Sequence, residues 1–164
     1  MAPAASFSPF GLESLVRMHF TLSLATEAAV ACHDITAELN AFLEATGLQE
    51  GVLVAVAQHT TTALVVNEAE ERLMADIAEF FGSLVPADHP WRHNDLHLRR
   101  VPPDEPRNAH SHLIALMLGS QLSLPIVDGR LGLGRYQSVL LVELDGPRPR
   151  QVLVQLLGSM VSPG

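Results

Sequence analysis

Gly51-Val52-Leu53-Val54-Ala55-Val56-Ala57-Gln58-His59-Thr60-Thr61-Thr62-Ala63-Leu64-Val65-Val66-Asn67-Glu68 carries two apolar runs with polar residues between them. Strand formers fill Val52 to Ala57 and Ala63 to Val66, and Gln58-His59-Thr60-Thr61 interrupts them. Such residues fit a pleated, half-buried surface, so a strand with a polar break is expected. Alternation puts His59 and Thr61 on one face and Gln58 and Thr60 on the other, unless a bulge intervenes. A polar group set into apolar sequence either finds a partner or does chemistry. His59 is therefore the first candidate site residue, and Asn67-Glu68, where the second run ends, is the next.

Upstream, Ser14 to Leu24 alternates as a half-buried strand with His19 on its wetter face. Residues 1–13, with Pro3, Pro9 and Gly11, are expected to form a loosely held arm ahead of a single domain over 14–164. A helix opens at Asp34, turns Ile35, Leu39, Phe42 and Leu43 to one side, and stops at Gly47. Cys32 and His33 before it are packing and cap neighbours.

Downstream, Ala69 to Leu84 is helical, with Leu73, Ile77, Phe80, Phe81 and Leu84 on its apolar face. Glu68, Arg72 and Asp76 run along one side, either as a solvated salt-bridge ladder or with both carboxylates facing the cleft of His59. Val85 to Pro106 is irregular and proline-rich, with Trp91, His89, His93 and His97; loops of this length are often functional. Asn108 to Gly119 is a helix with Asn108 and His112 on one face. Ser123 to Val127 is a short strand, Asp128-Gly129 a turn, Leu131 to Leu144 a long strand, and Arg150 to Leu157 the last one. Gly132 and Gly134 inside the long strand predict a bulge or a close backbone approach. They make no nucleotide loop, because no helix follows and no third glycine fits.

At 164 residues and 48% hydrophobic content the chain can bury a core as one domain. Its positive mean hydropathy hints at further burial between subunits. A net charge of −8 without a basic stripe excludes non-specific nucleic-acid binding. All ten basic residues are arginine. Schiff-base and P-loop lysine chemistry are thereby excluded, and any side-chain cation holding an anion is a forked guanidinium. A lone cysteine, Cys32, rules out an intrachain disulfide and a multi-cysteine zinc site. A metal would have to use imidazole and carboxylate. Nothing at the start looks like a signal peptide and no apolar run approaches membrane-spanning length, so cytoplasm is the default expectation and no membrane partner is expected.

By chemistry, the polar interruptions of apolar elements are His59, Asn67, Glu68, His93, Asn108, His112 and Gln137. Three histidines with a carboxylate nearby can ligate Zn²⁺ or another divalent ion and leave a water position open. Glu68 is the first choice of general acid or base and Asp76 the second, with Asn67, Asn108 and Gln137 as orienting groups.

Many ordered pieces then fall together. They are His59-Thr60-Thr61-x-Ala63-Leu64, Asn67-Glu68, Asp76, Leu84-Val85-Pro86, His93, Asn108 and His112-Leu113-x-Ala115. They continue as Gly119, Leu124-Pro125-Ile126, Gly129-Arg130-Leu131-x-Leu133-Gly134-x-Tyr136-Gln137 and Glu143-x-Asp145-Gly146-Pro147-Arg148. From about Asp34 to Gly158 the chain resembles the YjbQ proteins, also called the UPF0047 family, some of which are described as secondary thiamine-phosphate synthases. Tyr136 stands where the family usually has tryptophan.

The resemblance implies an α+β fold of mostly antiparallel sheet with packed helices, assembled as a homotrimer, with a histidine-lined pocket that takes a metal or an anion. It makes His59, His93 and His112 the expected metal ligands, with zinc the first choice. His59, Glu68 and Asp76 are the expected catalytic groups. Thr60, Thr61, Asn67, Asn108, Arg130, Arg135 and Gln137 are expected to bind a small phosphorylated substrate. The implied reaction joins a pyrimidine diphosphate to a thiazole phosphate, with Arg130 or Arg135 meeting the charge that develops on pyrophosphate. Two alternatives stand beside it: a metal-dependent phosphate-ester hydrolase, and a trimer whose histidines only bind metal or a small molecule.

Overall fold

A computed structural model describes residues 15–160. The arm expected over 1–13 lies outside the described residues. In chain order the elements are β1 (Leu15–Ala25), β2 (Ala31–Asp34), α1 (Thr36–Thr46), β3 (Glu50–Ala57), β4 (Thr62–Asn67) and α2 (Glu71–Leu84). They continue with α3 (Ala109–Leu118), β5 (Gln121–Val127), β6 (Arg130–Leu131), β7 (Ser138–Glu143) and β8 (Pro149–Ser159). The strands form a five-stranded sheet, β1-β8-β3-β5-β6, and a three-stranded sheet, β2-β7-β4, with antiparallel pairing throughout. The chain is thus the α+β domain expected.

Period-two patterning explains the layers. Leu53, Leu124, Val154 and Leu156 on the inner face of the large sheet meet Leu64, Val139 and Leu141 of the small sheet, and Leu39 and Leu43 of α1 close the same core. Alternate residues of the small sheet, Ala63 and Val142, face the other way and pack with Val85, Ile114 and Ala115 beside α2 and α3. α1 ends as expected, at Gly47 with φ 68° in the left-handed region. β3 and β8 lie against each other closely at Gly51 and Gly158, where an added Cβ would lie 2.1 Å from Leu157 O and 2.0 Å from Glu50 O.

Several expectations are corrected. The opening run is not one interrupted strand: β3 belongs to the large sheet and β4 to the small one, and residues 58–61 carry the chain between them. His59 and Thr61 therefore lie in a crossing turn, not on one face of a strand. Cys32 and His33, expected to be packing and cap neighbours, and Asp34, expected to open the helix, lie instead in β2, an edge strand on β7; Asp34 still helps the helix by accepting the Thr36 N–H at 2.9 Å. The long strand expected from Leu131 to Leu144 breaks at residues 132–137. Gly132 lies so near Pro125 that a Cβ would meet Cγ of its ring at 2.7 Å, and the Gln137 side chain accepts the Gly134 N–H at 2.7 Å, closing a loop instead of a ladder. α2 starts at Glu71, capped by the Glu70 carboxylate on the Arg72 and Leu73 N–H groups. Glu68, Arg72 and Asp76 make no ion pair among the described residues, so the salt-bridge ladder does not form.

Candidate functional site

The crossing turn positions the first group. As β3 ends, Gln58 N–H still donates to Gln151 O at 3.0 Å, after which the main chain leaves the sheet. The next ladder position is taken by a side chain: Gln151 N–H donates to Nε2 of His59 at 2.8 Å. An imidazole nitrogen thus replaces a strand carbonyl. Accepting at Nε2 puts the proton of the neutral ring on Nδ1. Burial and the charge of Arg150 hold the His59 pKa below the ordinary imidazole value, against a smaller opposing effect of Glu143, so the neutral ring is favoured. Nitrogen NMR of selectively labelled protein at pH 7 is expected to show the Nδ1–H tautomer for His59; an Nε2–H ring would refute this hydrogen-bond assignment.

Around the turn lies an open cleft of roughly 400 Å³, walled by Thr60 and Thr61, by Asn108 just ahead of α3 and His112 within it, and by Asp145, Arg148 and Arg150. Asn94, in the histidine- and proline-rich loop, fixes α3 by accepting the Ala109 N–H at 3.1 Å. That loop contains two short 3₁₀ turns, Arg92–Asn94 and Leu96–Leu98, and its His93 ring packs edge-on to His112 with centroids 4.9 Å apart. Burial and the neighbouring His93 lower the pKa of His112, while Asp145, the Thr60 backbone and Glu105 oppose them. Asn108 Nδ2 donates to Asp145 at 2.7 Å, yet Asn108 Oδ1 and His93 Nε2 are buried without a hydrogen-bond partner. Buried polar atoms left without partners cost stability, so two of them beside one cleft point to a binding role.

Behind the cleft, Arg150 forks onto Glu143: Nε to Oε2 at 2.6 Å and Nη2 to Oε1 at 2.5 Å, with Nη2 also donating to Thr61 Oγ1 at 3.2 Å. Nη1 has no protein hydrogen bond among the described residues. Arg148 bonds Asp145 at 3.0 Å and keeps 43% of its side chain exposed. Glu143, Asp145, Arg148 and Arg150 were not picked out as site residues from the sequence. The available signal was Glu143, a lone carboxylate inside the apolar run Val139 to Leu144.

Of the expected site residues, the fold gathers His59, Thr60, Thr61, Asn108 and His112 around this cleft, with His93 against His112. The others lie elsewhere. Arg130 and Gln137 line a separate cleft with Thr36, Asn40 and Glu44 beside α1. Arg135 lies over the Tyr136 ring at 5.2 Å. Asn67 accepts the Glu68 N–H at the far end of β4, six residues or about 20 Å of strand from the turn. Glu68 and Asp76 are exposed and do not share the cleft of His59.

The expected metal set does not fit this geometry. The Nε2 lone pair of His59 is taken by the Gln151 N–H, which leaves His93 and His112 as a pair. Among the described residues no group of three or more His, Cys, Asp and Glu is placed to hold a metal ion. No helix among them is long and apolar enough to cross a membrane.

A two-sheet α+β domain with a histidine- and arginine-walled cleft at a strand-crossing turn defines the class of protein. The profile of the UPF0047 protein YjbQ-like family matches residues 20–159, and the chain belongs to that family. It is similar to a UPF0047 protein of Archaeoglobus fulgidus, 38% identical over 136 residues, which are 83% of this chain and 98% of that protein. A UPF0047 protein of Methanothermobacter thermautotrophicus is 36% identical over 138 residues, 84% of this chain and 90% of that one. Among solved structures, a hypothetical protein of Aeropyrum pernix K1 superposes with a TM-score of 0.79 at 39% identity, covering 87% of this chain and 99% of that one.

Proposed function

We propose that the cleft binds a small phosphorylated molecule and that His112 moves a proton on it. One observation carries this: Arg148 and Arg150 open onto the same cleft as the His112 ring, whose lowered pKa favours its neutral form. Guanidinium forks suit phosphate oxygens, and a neutral imidazole suits proton transfer near pH 7. The finer form of the proposal is the reaction its family resemblance suggests, transfer of a pyrimidine from its diphosphate to a thiazole phosphate with release of pyrophosphate. The arginines would hold the departing pyrophosphate, and no step is assigned to a metal.

Assembly as a homotrimer belongs to the same proposal. What supports it is the outer face of the large sheet, where Val52, Val54 and Val56 align with Leu157, Gln155 and Leu153 and remain half-exposed. Sedimentation at micromolar concentration is expected to give three times the chain mass.

Purified protein incubated with both precursors, with and without a chelator, is expected to form thiamine phosphate in both cases. Formation only with added metal would overturn the metal-free chemistry. Phosphate binding with no turnover on either precursor or on simple phosphate esters would leave a sequestering protein in its place.

A further inference from the structure

The cleft beside α1 has a chemistry of its own. Thr36, Asn40 and Glu44 recur every fourth residue and so share one side of the helix, while Leu39 and Leu43 enter the core. With Arg130, Leu131 and Leu133 they line an open cleft of roughly 460 Å³, which shares no residue with the cleft of His112. Both walls are tied down. Thr36 Oγ1 accepts the Val139 N–H at 2.8 Å, fixing the start of α1 to β7. The Gly129 N–H donates to Gln49 O at 2.9 Å and the Asp128 N–H to Glu50 Oε1 at 3.1 Å, fixing the turn ahead of Arg130 to the residues where β3 begins. Arg130 and Glu44 bring opposite charges to this one cleft, yet they form no ion pair among the described residues. Leu131, a core residue, and the half-buried Leu133 add apolar lining.

We infer that this cleft is a second ligand site, for a zwitterionic α-amino acid with an aliphatic side chain. The Arg130 guanidinium takes the α-carboxylate in a forked contact. The Glu44 carboxylate takes the α-ammonium, with the Asn40 amide beside it on the next turn of α1. Two opposite fixed charges select a ligand that carries both. A phosphate or a dicarboxylate would meet the charge of Glu44, and a polyamine that of Arg130. Apolar lining sets the side chain: a hydroxyl or amide against Leu131 and Leu133 would be left unpaired, whereas an aliphatic group gains from leaving water. A cavity of this size, apolar with a few placed polar groups, suits a small organic ligand. The inference stands apart from the phosphate reading of the His112 cleft.

The test is calorimetric titration with L-leucine, with leucinamide, which lacks the carboxylate, and with 4-methylpentanoate, which lacks the ammonium. Wild type is expected to bind L-leucine saturably and each single-charge analogue at least about tenfold more weakly, the factor one charge-assisted contact supplies. Arg130→Met should bind L-leucine no better than leucinamide, and Glu44→Gln no better than 4-methylpentanoate. Both positions are exposed, so neither variant should lose stability, and either one alone reads the site. His112→Asn is expected to bind L-leucine as wild type does; a loss there would move the ligand to the other cleft and overturn the assignment. No saturable heat with L-leucine up to about 10 mM, the weak end of small-ligand affinity, would overturn the site itself. Binding of 4-methylpentanoate as tight as that of L-leucine, or displacement of L-leucine by inorganic phosphate, would leave an anion site instead. Affinity for L-leucine unchanged in both Arg130→Met and Glu44→Gln would refute the pairing of charges on which the inference rests.

Discussion

Glu143→Ala is expected to lower the unfolding free energy by about 3–5 kcal/mol, the usual effect of removing one partner from a buried ion pair. The Glu143 side chain is fully buried and that of Arg150 is 4% exposed, so solvent does little to screen the charge left behind. The carboxylate also accepts from the Thr26 hydroxyl and from the N–H groups of Leu144 and Asp145, each at 2.8 Å. All of these donors lose their acceptor together. At roughly 2–4 °C per kcal/mol for a chain of this size, the melting temperature should fall by about 6–20 °C. Calorimetry giving a loss below about 1 kcal/mol would refute the account of the pair.

Acid unfolding supplies the second reading of the same group. Burial pushes the Glu143 carboxyl upward, but hydrogen bonds from Arg150, the Asp145 N–H and Thr26, together with the Arg150 charge, outweigh it and hold the pKa below the ordinary carboxylate value. A carboxyl depressed in the folded state contributes stability that is complete above its unfolded value, near pH 4.3. That contribution is lost as pH falls through the folded pKa. Wild type should therefore lose stability below about pH 4, and Glu143→Ala should lack that part of the loss. Replacing both partners, Glu143→Leu with Arg150→Met, should recover much of the stability while removing the guanidinium from the cleft. The double variant thus separates folding from anion binding.

The ion pair also marks where sequence stops being legible. Alternation in β1 and the glycine stop of α1 are local signals, and both elements form as their patterns predict. His59 was visible inside a polar break because the runs on either side of that break are apolar. What the break does was not visible, since the acceptor role of Nε2 depends on Gln151, 92 residues away. The same holds for the edge-on packing of His93 and His112 and for the Asn94 contact with α3, which bring a loop of no periodicity onto a helix. Glu68 shows the converse error. It is near His59 in sequence, but an intervening extended strand keeps it from the cleft, whereas a helix of equal length would span less than half that distance. Gly132 and Gly134 did signal irregular backbone. That they end a strand outright follows from Pro125 and Gln137, contacts that only the folded chain makes.

Under the proposed chemistry, His112→Asn should lower kcat by roughly 10²–10⁴-fold, the usual contribution of a general acid or base. The ring is half-buried at the rim of the cleft, so the melting temperature should change little, which sets this variant apart from Glu143→Ala. The pH profile carries the sharper test. Burial lowers the His112 pKa first and the adjacent His93 adds to it, so the neutral ring persists below the usual imidazole value near 6.5. If the neutral ring is the working form, kcat/KM should stay level through pH 7 and fall only as pH drops below that value. His93→Asn removes one of the two lowering influences, so its acid limb should move upward in pH while much of the rate at pH 8 survives. Asparagine at position 112 abolishes the limb itself. An acid limb that stays in place in His93→Asn would break the coupling of the two rings, and a His112→Asn enzyme within twofold of wild type would end the assignment of His112 as the proton-transfer group.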